Sequence, residues 1–322
     1  MPSWNIHIAQ TEELLRREGA VPRAVHDRNI FLFGNVVPDI FVGYMLDLDF
    51  ERIIPYTVTH CAKSEPIPKP REWEFWERFV APQVERARAA EQLAGAGGDA
   101  EGDAGADNAA ASAVADAAHE RDVLDLTLGA WAHLLADHIW NTRVHEYLEA
   151  RGDSDAGFRA QKQDDFDAFG KTLHISSVPK ETDALLRAAE DFPQYPIAAN
   201  YAHDTIVVIH EVVRSNHGVA VHAPYQLLTD AFFDGTFHEV LGATEFLLEE
   251  RLFAGRPAAP GQWTEGQSGV EVAEPAGAGV KAAKPARLAG TSGGVCDDAA
   301  AGANDSAAAG ADACLAPDPS DT

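Results

Sequence analysis

The hydrophobic residues of this chain recur three to four positions apart in its long periodic segments, which is the spacing of a helix face. The segments with this pattern are residues 6–17, 124–147, 200–217 and 229–253. Since nearly every long periodic segment is helical, the pattern predicts an all-α fold. We expect a bundle of roughly seven to nine helices that ends near Phe253.

The segment 124–147 (LDLTLGAWAHLLADHIWNTRVHEY) is apolar enough for a core but also carries His133 and Asp137. On one helix these two residues lie one turn apart on the same face, where an imidazole and a carboxylate could bind one metal ion. With 13 His in the chain, roughly one His-x-x-x-Asp is expected by chance from composition. A core histidine that is satisfied by a neighbouring carboxylate is the alternative explanation.

A second carboxylate lies in the apolar run 27–40 (DRNIFLFGNVVPDI). Pro38 favours a bend, so Asp39 could open the next helix as an N-cap. Its apolar neighbours would nevertheless bury the carboxylate, and a buried carboxylate needs a partner. Asp39 is therefore a candidate ligand as well as a candidate cap.

Shorter segments complete the domain. Residues 51–60 (ERIIPYTVTH) read as a short β-like or extended run that ends at His60, and the proline-rich residues 63–71 read as an extended connector. The aromatic residues between Trp73 and Phe79 have near-helical spacing, which is more typical of a core than of a ligand platform. The acidic cluster of Asp164, Asp165 and Asp167 is expected to be a solvated charge run.

Two segments consist mainly of small residues. Residues 94–118 are almost exclusively Ala, Gly and Asp, and residues 254–322 repeat this composition with Pro added. Such sequences lack the large side chains that offset the entropy of ordering a chain. We predict one helical domain, residues 1–253, with a disordered insertion at 94–118 and a disordered tail at 254–322.

The composition of the chain bears on its binding partners and its cellular compartment. The formal net charge is −26, and nucleic acid is therefore not a default partner, because a phosphate backbone is normally met by a basic surface. Three cysteines, two of them in the predicted tail, indicate no disulfide framework. The N-terminus lacks a secretory signal and no run of 18 apolar residues occurs, so we expect a cytoplasmic protein without a membrane span.

Five residues, taken in chain order, resemble the metal ligands of the zinc-dependent phospholipase C family. The first is His7. Asp39 follows within GNVVPDI, and His60 within TVTH. The last two, His133 and Asp137, form the His-x-x-x-Asp pair within GAWAHLLADHIW. That family shares its helical fold and trinuclear zinc site with the S1/P1 single-strand nucleases. The resemblance spans about residues 4–147 and implies a bundle of the phospholipase C / P1 nuclease type.

The resemblance implies that Asp39, His60, His133 and Asp137 surround one zinc ion. His7 would serve a second zinc ion, with Asp137 bridging the two. In secreted members of the family the N-terminal amine completes this second site, and removal of Met1 would leave Pro2 five residues before His7. Asp39 would also take the proton from the attacking water.

The chain departs from the family at the third zinc site. Family members supply a His shortly after the His-x-x-x-Asp pair and a further His-x-x-x-Glu or His-x-x-x-Asp. Here His145-x-x-x-Glu149 is the one such pattern and cannot serve both purposes. The possible substitutes do not fit the spacing; they are His174, His203, Glu211 and Asp165. One or two zinc ions are therefore expected rather than three.

The expected activity is hydrolysis of a small phosphoester or a phospholipid by metal-activated water. One alternative is an HD-type metal-dependent phosphohydrolase, for which the His-Asp dipeptides are His26-Asp27 and His203-Asp204. The other is a non-catalytic helical protein in which a metal joins the N-terminal segment to the central helix while the acidic segments serve partners.

Overall fold

The structure is a computed structural model that describes residues 2–43, 53–96, 104–152, 158–216 and 224–254, without the side chains of 104–107. These residues form helices and no strand, which confirms the predicted all-α class. The helices are α1 Trp4–Arg16, α2 Ala20–Ala24, α3 Arg28–Gly34, α4 Val37–Ile40, α5 Tyr56–Thr59, α6 Glu72–Phe75, α7 Ala81–Ala96, α8 Ala104–Arg151, α9 Arg159–Gly170, α10 Asp183–Glu190, α11 Ala199–Ser215 and α12 Asp230–Leu248. Two π-helical turns, Trp76–Val80 and Glu249–Phe253, precede α7 and follow α12.

Helix α8 is the axis of the fold. It has 48 residues, a length of about 72 Å at 1.5 Å per residue. Helices α1, α3, α4, α6, α7, α10 and α12 all contact it. Its central part is buried on every side, because the residues from Val123 to Asp137 each expose less than a tenth of their surface. Such all-round burial is typical of a core helix and explains the apolar composition of this segment.

Helix α8 begins inside the segment that was expected to be a disordered insertion. Residues 94–96 end helix α7 and residues 104–118 belong to α8, so the expectation of disorder was wrong for both, whereas residues 97–103 lie outside the described residues. Alanine has the highest helix propensity, and extending an existing helix avoids the cost of nucleation. The predicted tail, apart from Ala254, also lies outside the described residues.

Two glycines allow α3 and α8 to meet backbone to backbone. A Cβ on Gly34 would overlap the carbonyl oxygen of Leu126, and a Cβ on Gly129 would overlap that of Phe31. Only a residue without a side chain permits this approach. The contact places the end of α3 directly beside the turn of α8 that follows Gly129.

Two local predictions were wrong. Residues 56–59 form helix α5 rather than an extended run; the carbonyl of Pro55 accepts hydrogen bonds from Val58 and Thr59 and so starts the helix. In the acidic cluster, Asp165 is buried rather than solvated. Its carboxylate accepts hydrogen bonds from three consecutive backbone N–H groups, at 2.6 to 2.8 Å, those of Gln226, Leu227 and Leu228.

The aromatic segment before α7 packs in the core, as predicted. Phe75 is fully buried, and Trp76 and Phe79 pack against the central cluster of apolar side chains. Trp131 of α8 contacts Trp76 edge to face, with 5.0 Å between the ring centroids. These rings fix the connection between the short N-terminal helices and α8.

Candidate metal centre

Five side chains from four segments meet at one buried point of the fold. His7 lies in the first turns of α1, Asp39 in α4, His60 directly after α5, and His133 and Asp137 one turn apart in α8. Each of the five exposes 2% of its surface or less. The structure therefore brings together the five residues that the resemblance suggested as ligands of the first two metal ions.

His60 lies at the centre of the first half of this cluster. Its Nε2 atom is 3.2 Å from Nε2 of His133, 3.4 Å from Oδ1 of Asp39 and 3.6 Å from Oδ2 of Asp137. In a tetrahedral site with bonds of about 2.0 to 2.1 Å, neighbouring ligand atoms lie about 3.3 Å apart. The three distances from Nε2 of His60 are thus close to the edge of a tetrahedral coordination shell, whereas Nε2 of His133 lies farther from the carboxylates, 3.8 Å from Oδ2 of Asp39 and 3.9 Å from Oδ2 of Asp137.

His7 forms the second half of the cluster. Its Nε2 atom lies 3.3 Å from Oδ1 of Asp137, whereas Oδ2 of Asp137 faces His60 and His133, at 3.6 and 3.9 Å. The rings of His7 and His133 stack with their centroids 4.0 Å apart. The two oxygens of Asp137 therefore face different imidazoles, which is the arrangement that a bridging carboxylate needs.

Hydrogen bonds define which histidine nitrogens are free to bind a metal. Nδ1 of His133 lies 2.8 Å from the carbonyl oxygen of Asn35, which can only accept, so Nδ1 carries the proton. Nδ1 of His60 lies 2.7 Å from the hydroxyl of Thr59, which itself donates to the carbonyl of Tyr56. Both Nε2 atoms thus carry lone pairs and face each other at 3.2 Å. A cation between them would convert this repulsion into coordination.

Two further side chains donate hydrogen bonds to the carboxylates of Asp39 and Asp137. The indole Nε1 of Trp4 donates to Oδ2 of Asp39 at 3.0 Å, and the hydroxyl of Tyr56 donates to Oδ2 of Asp137 at 2.9 Å. The other oxygen of each carboxylate accepts no hydrogen bond from the described residues, and neither nitrogen of His7 makes one. Buried polar atoms are normally satisfied. These unsatisfied atoms point to a ligand that the protein itself does not supply.

Burial and mutual contact shift the pKa values in the direction that metal binding requires. Burial, together with the nearby His133, lowers the pKa of His7 to about 4, and burial also lowers the pKa of His60. Burial alone would raise the pKa of Asp39 and Asp137, but the neighbouring imidazoles outweigh it and hold both below the ordinary value. At neutral pH His7 and His60 are therefore neutral and the two carboxylates are ionised, which are the forms that bind metals.

Two overlapping sets of donor atoms could each hold a metal ion. One consists of Asp39, His60 and His133, and the other of His7, His133 and Asp137. Within each set the donor atoms lie within 4.8 Å of one another. Among the described residues these are the groups with such geometry.

The candidates for a third site do not join the cluster. His145 lies 12 residues after His133 on the same helix, about 18 Å along its axis. His203 is exposed and pairs with Glu181, Glu211 pairs with Arg214, and Asp165 binds backbone N–H groups. His174 is exposed on the connection after α9.

The two His-Asp dipeptides also have other partners. Asp27 is the N-cap of α3 and accepts hydrogen bonds from Asn29 and Ile30. His203 lies on the exposed face of α11, 2.6 Å from the carboxylate of Glu181. Neither dipeptide belongs to a donor set of the kind that the central cluster forms.

Sequence reasoning missed Trp4, Asn35 and Tyr56, the residues that hold the ligands in place. Tyr56 precedes His60 by four positions and Trp4 precedes His7 by three, so each shares a helical face with a candidate ligand. This spacing was a usable signal for Tyr56 once residues 56–59 were read as helical. Asn35 acts through its backbone carbonyl, and no side-chain pattern could have revealed it.

Comparisons of the chain with models of protein families, with curated proteins and with solved structures found no match. Within the described part of the chain, no helix combines the length and the apolar character that crossing a bilayer requires.

Proposed function

We propose that this protein is a zinc-dependent hydrolase of a phosphoester, similar to the phospholipase C family. The observation that carries the proposal is the convergence of three imidazoles and two carboxylates with unsatisfied donor atoms at one buried point. Mixed nitrogen and oxygen ligands of this kind suit zinc. The number of donors exceeds the four of a single tetrahedral site, which favours two ions over one.

The residues divide between two positions. Asp39, His60, His133 and Asp137 would hold one ion, and His7 with the second oxygen of Asp137 would contribute to the other. When bound, such ions supply Lewis acidity toward a phosphoryl oxygen and toward water. Nε2 of His60 and Nε2 of His133 would offer their lone pairs to the first ion, because Nδ1 of each ring is hydrogen-bonded to Thr59 or Asn35.

Asp39 is the proposed proton acceptor. Its Oδ2 atom is occupied by the indole of Trp4, whereas Oδ1 accepts no hydrogen bond from the described residues. Oδ1 has two lone pairs, so it could bind a metal ion through one and take a proton from the attacking water through the other. The hydrogen bond from Trp4 holds the carboxylate in one orientation for this step.

The proposed substrate is a small phosphoester or the headgroup ester of a phospholipid. The strongly negative chain argues against a polynucleotide. Phe75 is buried in the core and Trp76 and Phe79 pack against it, which favours a packing role over an acyl-binding lip. A compact phosphoester is the substrate class that these observations favour.

The test is elemental analysis of protein purified without chelator, followed by turnover assays with bis-nitrophenyl phosphate, phosphatidylcholine and single-stranded DNA. We expect one to two zinc ions per chain and hydrolysis of at least one phosphoester. The double variant His133→Ala, Asp137→Asn should lose both metal and activity. The matched control His203→Ala, Asp204→Asn should keep both, and the opposite result would favour an HD-type enzyme.

A second candidate function, a structural metal centre, is favoured by one observation. The five candidate ligands are almost completely buried, whereas catalytic metal sites keep a position open to substrate. A metal here would join α1 to α8. If chelation lowers the melting temperature while the metal-loaded protein hydrolyses none of the three substrates, this structural role is correct and the hydrolase proposal is wrong.

A further inference from the structure

Tyr56 lies on the solvent side of the cluster. It is the first residue of α5, and its side chain is partly exposed, in contrast to the five candidate ligands. Its neighbours Ile53 and Val58 expose 61% and 52% of their surface. Among the described residues with a hydrogen bond to a ligand side chain, Tyr56 is the one that also reaches solvent.

Tyr56 contacts two candidate ligands at once. Its ring stacks on the imidazole of His60, with the centroids 3.7 Å apart and the planes inclined by 20°. Its hydroxyl donates to Oδ2 of Asp137 at 2.9 Å. The ring thereby fixes the plane of one ligand, and the hydroxyl fixes the rotation of another.

The rotation of the Asp137 carboxylate determines how many ions the site can hold. In the observed orientation, Oδ2 faces His60 and His133, and Oδ1 lies 3.3 Å from Nε2 of His7. A carboxylate that turned to present both oxygens to the first ion would withdraw Oδ1 from His7. The hydroxyl of Tyr56 opposes this turn, because its hydrogen bond would be lost.

The geometry points to Tyr56 as a positioning residue that keeps Asp137 in a bridging orientation and so enables binding of the second metal ion beside His7. This inference rests on the proposed metal centre and deepens it. Whether the site holds one ion or two thus depends on the hydroxyl group of Tyr56. Outer hydrogen bonds of this kind typically change metal affinity 10- to 100-fold.

The test compares the variants Tyr56→Phe and Tyr147→Phe with the wild type. Phenylalanine keeps the stacked ring and removes only the hydroxyl. Tyr147 is the matched control. It lies on α8, as Asp137 does, but ten residues away from it, and its hydroxyl donates to the carbonyl of Leu227. Metal-free protein is titrated with Zn²⁺ by calorimetry and with Co²⁺ by visible absorption, which reports the coordination geometry.

We expect two binding steps for the wild type and for Tyr147→Phe. In Tyr56→Phe the first step should stay within about threefold, while the second weakens roughly 10- to 100-fold and its cobalt spectrum changes. Far-UV circular dichroism and the melting temperature of the metal-free variants establish that each is folded.

The outcomes separate this inference from the proposed function. A wild type that binds no metal contradicts the proposed function and this inference with it. A wild type that binds a single ion, or a Tyr56→Phe variant with both affinities unchanged, contradicts the role of Tyr56 alone. Equal weakening in Tyr147→Phe would also overturn it, because the loss would then follow from general destabilisation.

Discussion

Asp137 and Asp165 are two buried helical aspartates with opposite surroundings. Each exposes 2% of its surface or less. Both oxygens of Asp165 accept hydrogen bonds from backbone N–H groups of residues 226–228. In Asp137, by contrast, Oδ2 accepts one hydrogen bond, from Tyr56. Oδ1 faces the imidazole of His7 and accepts no hydrogen bond from the described residues.

The difference shows how a structural acid can be told from a candidate metal ligand. Backbone N–H groups cannot lose their protons, so they satisfy a buried carboxylate permanently. Imidazole nitrogens that carry lone pairs cannot donate, and they leave a carboxylate unsatisfied unless a proton or a metal ion lies between. Burial alone does not distinguish the two roles, whereas the chemistry of the partners does.

The largest expected effect is loss of metal from Asp137→Asn. The amide keeps the shape of the side chain but removes the charge and one acceptor oxygen from the carboxylate that the two proposed ion positions would share. We expect metal affinity to fall more than about 100-fold while the helical circular dichroism signal persists. Elemental analysis after dialysis measures this. Retention of a full metal complement in the variant would contradict the role of Asp137.

Chelation should destabilise the wild type. A ligand that binds only the folded state stabilises it by about 2.7 kcal/mol at a concentration 100 times its dissociation constant. We therefore expect EDTA to lower the melting temperature, as measured by thermal denaturation. Asp137→Asn serves as the control, since a protein without metal should not respond, and an equal response would show that EDTA acts elsewhere.

Asp165→Asn should show the opposite behaviour to Asp137→Asn. The variant replaces one of the two oxygens that accept from three backbone N–H groups by an NH₂ group, which cannot accept, at an expected cost of about 1 to 3 kcal/mol in the free energy of unfolding. The metal content and the EDTA response should be unchanged. Urea denaturation measures the loss in the free energy of unfolding, and elemental analysis measures the metal content. Loss of metal in Asp165→Asn would contradict the distinction between Asp137 and Asp165.

The smallest expected effect is the pH dependence of the metal-free protein. The pKa of His7 is lowered from 6.5 to about 4 in the folded state, so between these values the unfolded chain binds a proton that the folded chain does not. Stability is therefore complete above about pH 6.5 and falls as the pH drops toward 4. His7→Gln should reduce the part of this fall that lies between pH 6.5 and 5.5 by about 1 kcal/mol, as measured by urea titrations with EDTA.

A control at higher pH completes this experiment. Between about pH 7.5 and 8.5 almost no His7 is protonated in either state, so the difference between the wild type and His7→Gln should stay constant there. A difference that grows above about pH 7.5 would mean that another group dominates.

Part of this architecture could be predicted from the sequence. The helical spacing predicted α1, α11 and the central part of α8, because apolar periodicity reflects which face is buried. The four-residue spacing placed His133 and Asp137 on one face of a helix, and both lie in α8, one turn apart. The apolar setting of Asp39 correctly indicated a buried carboxylate with partners.

The rest depends on contacts that a local pattern does not encode. Nothing near Asp165 in sequence reveals that the backbone of residues 226–228 will cover it. The composition of residues 104–118 indicated disorder, but those residues extend a helix whose stability comes from the apolar part that follows. Likewise, the approach of Gly34 to Gly129 joins two helices that are far apart in the chain.

The positions of the five candidate ligands along the chain have a consequence for biosynthesis. His60 and His133 are 73 residues apart, and His7 and Asp39 precede both. At a translation rate of about 5 to 20 residues per second, roughly 4 to 15 seconds pass between the synthesis of His60 and that of His133. The nascent chain carries an incomplete donor set throughout this interval, so the finished centre cannot capture a cation before Asp137 has been made.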